Sequence, residues 1–84
     1  MEFGYITFRS VTHAQRGERV LAAAGIPAAL QRTPRWMEER GCGYCLRLRQ
    51  KALAEAAELL RKADVSYRKL YVHGSLGVLE ETRL

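Results

Sequence analysis

Tyr44-Cys45-Leu46-Arg47-Leu48-Arg49, followed by Gln50-Lys51-Ala52-Leu53-Ala54-Glu55-Ala56-Ala57-Glu58-Leu59-Leu60-Arg61-Lys62-Ala63, decides the fold. The first six residues alternate polar with apolar, the period of a half-buried strand. The period then changes. Leu53, Ala56, Leu60 and Ala63 recur at steps of three and four, and Ala, Leu and Glu dominate the stretch, which predicts a helix over 51–63. Asp64-Val65-Ser66 turns the chain into a further strand over 67–73.

Upstream, Phe3-Gly4-Tyr5-Ile6-Thr7-Phe8-Arg9 is β-branched and aromatic, with Ile6 and Phe8 on one face, and reads as a strand. Ser10 caps a helix from about Val11 to Ala24, whose apolar side is Ala14, Gly17, Leu21 and Ala24. Gly25 closes it in a left-handed cap and Pro27 prevents its continuation. Residues 27–32 make a weaker strand. Residues 33–41 are a polar loop. The order β-α-β-β-α-β is the split βαβ arrangement. The expected architecture is therefore α+β and ferredoxin-like, with two helices on one face of a four-stranded antiparallel sheet. The other face stays open unless the tail or a second copy of the chain, as a homodimer, covers it. Residues 1–73 form a single domain on this reading. The tail 74–84 has no clear pattern, and is either disordered or docks Leu76, Val78 and Leu79 on a partner.

A chain of 84 residues buries a thin core, which disfavours a deep enclosed substrate pocket. No signal peptide and no membrane-spanning run is apparent, so a cytoplasmic protein is expected. In that compartment the two cysteines are expected to be free, redox-active or metal-binding rather than a structural disulfide. The net charge is +5, and eleven of the 14 basic residues are Arg. The charges are scattered, which favours a solvated surface. Nucleic acid is a weak expectation, because no aromatic-basic RNA-binding motif appears.

Right-handed βαβ crossover makes strands one and two parallel. The loop after strand two and the turn at Thr12-His13 should then share one end of the molecule, with Cys42 facing the first helix's amino terminus. A helix amino terminus and nearby cations favour the thiolate, the reactive form of cysteine. Gly41 and Gly43 leave the sulfur accessible. His13, with Arg9, Arg35 and Arg40, would add positive charge, although a lone His early in a helix reads first as a surface residue. Cys45 is either core or a resolving thiol for Cys42. The pair forms Cys-x-x-Cys before a strand rather than at a helix start, unlike a thioredoxin site. Zinc normally takes four ligands, and only a dimer would assemble them here. No metal and no cofactor is expected. Trp36 and Met37 read as a lid or a partner anchor. The Arg residues at 32, 35, 40, 47 and 49 read first as a solvated edge, and otherwise as a docking site for an anionic partner or a selenium or sulfur oxyanion.

Ile6-Thr7-Phe8-Arg9-Ser10, Thr12-His13-Ala14, Ala24-Gly25-Ile26-Pro27, Thr33-Pro34-Arg35 and Cys42-Gly43 resemble, in order and spacing, the small bacterial selenium/sulfur carrier-like proteins. The resemblance runs from about Tyr5 to Tyr71. It implies a carrier rather than a turnover enzyme. Cys42 would hold a persulfide or perselenide, taken from a donor such as a cysteine desulfurase or a selenium-handling enzyme and passed to an acceptor. Cys45, not general to the family, would release it by forming a disulfide. Thr12-His13 matches a family motif, a match that assigns the pair no role; support of the thiolate is expected from its place at the start of the first helix. The alternatives are a non-catalytic interaction or regulatory module, and a thiol-disulfide redox protein using both cysteines.

Overall fold

The computed structural model describes residues 3–33, 43–73 and 79–82. Its elements are β1 (Phe3–Phe8), α1 (Val11–Ala23), β2 (Ala29–Arg32), β3 (Tyr44–Arg49), a 3-10 turn (Gln50–Ala52), α2 (Leu53–Lys62), β4 (Leu70–His73) and β5 (Leu79–Thr82). The protein is α+β, with two helices and one antiparallel sheet in the order β2-β3-β1-β4-β5. Beyond the four strands expected, the tail supplies a fifth, and β5 pairs with β4 from Leu70↔Thr82 to His73↔Leu79. β1 and β2 both run antiparallel to β3, so they are parallel to each other. Among the described residues no helix is long and apolar enough to cross a membrane.

The alternation in β1 works as the sequence requires. Ile6 and Phe8 are fully buried and point to the helices, where they meet Leu46 and Leu48 of β3. Ala14 and Leu21 of α1 and Leu53, Ala56, Ala57 and Leu60 of α2 complete the core. Gly17 lets α1 approach closely. A Cβ there would stand 3.0 Å from Phe8 Cζ and 3.3 Å from Leu46 Cδ1.

Several element boundaries move. The second helix begins as a 3-10 turn, and its α-helical part starts at Leu53. Ala63 is exposed rather than part of the stripe, because Asp64 takes φ 62° and turns the chain away just there. Ala57 occupies the buried face instead. Ala24, likewise, is exposed at the end of α1, where Gly25 takes φ 80° as its left-handed cap. The last strand of the core starts at Leu70, not Tyr67. Residues 68 and 69 still run beside β1, but Thr7 captures them. Thr7 N–H donates to the Lys69 carbonyl (2.9 Å), Arg68 N–H donates to the Thr7 carbonyl (2.7 Å), and Thr7 Oγ1 accepts from Lys69 N–H (3.0 Å).

Candidate functional site

The end of the sheet that the topology singles out is built from three strand ends. Phe8, the last residue of β1, pairs with Tyr44, the first of β3, and Tyr44 pairs on its other side with Arg32, the last of β2. One residue further out, the Gly43 carbonyl accepts a hydrogen bond from Thr33 N–H at 3.0 Å. This bond closes the segment 34–42 at its base. Gly43 is buried there, and Arg32 lays its guanidinium 5.9 Å from the centre of the Tyr44 ring. A cation therefore stands beside the point where the segment leaves and rejoins the sheet.

α1 starts two residues beyond β1, at the same end. Ser10 is extended (φ −149°, ψ 161°), its Oγ accepts from His13 N–H at 3.3 Å, and its carbonyl accepts from Ala14 N–H at 3.1 Å. Ser10 Oγ also hydrogen-bonds His13 Nδ1 at 2.7 Å, which fixes the imidazole over the first turn. The first turn contains no acidic residue, so no carboxylate offsets the positive end of the helix. Thr12 is exposed and His13 half-buried. Thr12, His13 and Gly43 thus stand at one end of the fold, as the parallel arrangement of strands one and two requires. Cys42, Gly41, Arg35, Trp36 and Arg40 lie outside the described residues, so the site is known from its surroundings: Gly43, Thr33, Arg32 and the start of α1.

Cys45 is inside. It is a free thiol with no solvent exposure, between Thr7 of β1 and Gln31 of β2 on the sheet face away from the helices. Burial pushes its thiol up from the ordinary value of 9.0, against smaller downward pulls from the Thr33 and Gln31 side chains and Arg47. Desolvation disfavours the charged form, so this sulfur is held as an inert thiol. That environment supports the core reading of Cys45 over the resolving one. Thr33 Oγ1, buried nearby, makes no hydrogen bond of good geometry, yet stands close enough to the sulfur to favour its thiolate. The sequence reading missed Thr7 and Gln31 as neighbours of this cysteine. Only cross-strand register could have found them, because they are 38 and 14 positions away. Among the described residues no group of three or more His, Cys, Asp or Glu side chains gathers to hold a metal ion.

A family model described as "Putative Se/S carrier protein-like" matches residues 3–72, which is well over half of the chain. No curated protein and no solved structure matches it.

Proposed function

The chain belongs to the Se/S carrier protein-like family, and from that premise we propose that it carries sulfur or selenium on Cys42. The thiolate of Cys42 attacks the outer sulfur of a persulfide on a donor protein such as a cysteine desulfurase. The donor's S–S bond breaks, its electron pair returns to the donor as a thiolate, and Cys42 becomes the persulfide. An acceptor nucleophile then attacks the outer sulfur and Cys42 leaves as thiolate. No net oxidation occurs in either step. The selenium version is the same exchange with a perselenide.

The observation that carries this reading is the family match across the whole βαββαβ order. The surroundings of Cys42 agree with it. Gly43 follows it in the chain, the uncompensated amino end of α1 opens at the same end of the sheet, and Arg32 adds a cation beside Tyr44. Such a setting favours a thiolate over a thiol. On this reading the scaffold is ferredoxin-like, with β5 added at its edge. Cys45 serves the core, which also argues against a thiol-disulfide pair.

The test is transfer. The protein is incubated with a cysteine desulfurase and free cysteine, and its intact mass is measured. Wild type should gain one sulfur atom that a thiol reductant removes, and Cys42→Ser should gain none. An unmodified wild type, or an equal gain in Cys42→Ser, would sink the proposal and leave the interaction module as the better reading.

A further inference from the structure

The opposite end of the sheet holds a cleft that sulfur transfer does not use. Its volume is about 570 Å³, within the range of small-molecule sites. Phe3 of β1 and Pro27, Ala28 and Ala29 leading into β2 give it apolar walls, with the buried Ile26 and Leu48 beneath. Arg47 and Arg49 line it as well, and both are exposed. The Arg47 guanidinium lies 4.7 Å from the centre of the Phe3 ring, so the two make one flat, cationic wall.

Charge at this cleft is one-sided. None of the described residues that line it is acidic. Ala52 is the N-cap residue of α2, no side chain caps that helix start, and Glu55 in the first turn is not part of the lining. The positive end of a ten-residue helix therefore adds to the two guanidiniums. A guanidinium presents a planar fork of donors that matches a carboxylate with two parallel hydrogen bonds. The apolar walls suit a flat hydrocarbon body.

We propose that this cleft binds a small organic anion with a flat apolar body and a carboxylate head. The body lies against Phe3 and Ala29, which share the sheet face of the two guanidiniums, and the carboxylate meets Arg47 and Arg49. The site is separate from the sulfur-carrying end. β3 runs from Tyr44 at one end to Arg49 at the other, a span of roughly 17 Å at the usual rise per residue. The proposal therefore stands or falls independently of the role of Cys42.

Naphthoate is the probe, titrated into the full chain and followed by two-dimensional amide NMR. Saturable shifts should centre on residues 26–29 and 47–52. Arg47→Gln and Arg49→Gln should each weaken binding about tenfold, the effect of losing one charge-assisted contact. Both side chains are exposed, so neither change threatens the fold. Naphthamide, the neutral counterpart, should bind wild type more than about tenfold more weakly than naphthoate does, and more weakly than either single Arg variant binds naphthoate, because it loses the charge that both guanidiniums meet, and Cys42→Ser should bind naphthoate as wild type does. Shifts that never saturate, shifts centred elsewhere, undiminished binding by the Arg variants, or naphthamide binding as tightly as naphthoate would each overturn the assignment.

Discussion

Strand pairing decides the environment of Cys45. Cys45 is inside β3, flanked by Thr7 and Gln31, and its thiol is raised by burial. A group whose folded-state value is raised contributes stability below its unfolded value and loses it as pH rises through the folded value. For Cys45 that loss begins above about 9.0 and continues upward. Wild type should therefore lose more stability than Cys45→Ala between neutral pH and strongly alkaline pH, as read from urea unfolding midpoints. The comparison cancels the other groups that titrate there. Equal losses would mean that burial does not disfavour the Cys45 thiolate. At neutral pH Cys45→Ala should itself be the less stable protein, because Cys45 is fully buried and truncation leaves a small cavity.

At the scale of the element, α1 is the piece that connects packing with chemistry. Its amino end is capped by Ser10 at the end of the fold where Thr33 and Gly43 meet, while its middle is pressed on the sheet at Gly17. A methyl group at Gly17 would meet the Phe8 ring at 3.0 Å, and Phe8 is fully buried, so its ring can yield only by displacing its core neighbours. Gly17→Ala gains helix propensity, but overpacking costs more. The expected net destabilisation is about 1–2 kcal/mol, measured by chemical denaturation. Because the clash would lift α1 from β1, the same variant should also take up sulfur from the desulfurase more slowly than wild type, with the slow uptake persisting under conditions where it is fully folded. A Gly17→Ala protein as stable as wild type would show that the helix–sheet contact is looser than the 3.0 Å separation implies.

For the whole molecule, β5 extends the sheet by one strand and pairs the outer edge of β4. An uncovered strand edge is a template for pairing with another chain. Removal of residues 74–84 should leave the helices and the strands β2, β3, β1 and β4 folded, lower the thermal midpoint, and promote self-association visible by sedimentation. A truncated chain that stays as stable and as monodisperse as the full one would show that β5 is dispensable. What could be read from the sequence was local. The alternation in 44–49, the Ala- and Leu-rich helix, the Ser10 cap and the Gly25 turn each depend on residues a few positions apart, and each appears in the structure. The parallel run of the first two strands followed from chirality alone. Tail residues 79–82 were not legible as a strand, because Leu79-Glu80-Glu81-Thr82 has little intrinsic strand character and is paired only by the edge that β4 offers it. Nor could the sequence show that Cys45 is sealed between Thr7 and Gln31, or that Phe3, Arg47 and Arg49 meet residues 26–29 in a cleft. Sequence by itself determined the first four strands, the two helices and their order, since these follow from short-range periodicity and capping. Tertiary structure alone decided which distant side chains share a face or a cleft, since that depends on strand register and helix packing across the whole chain.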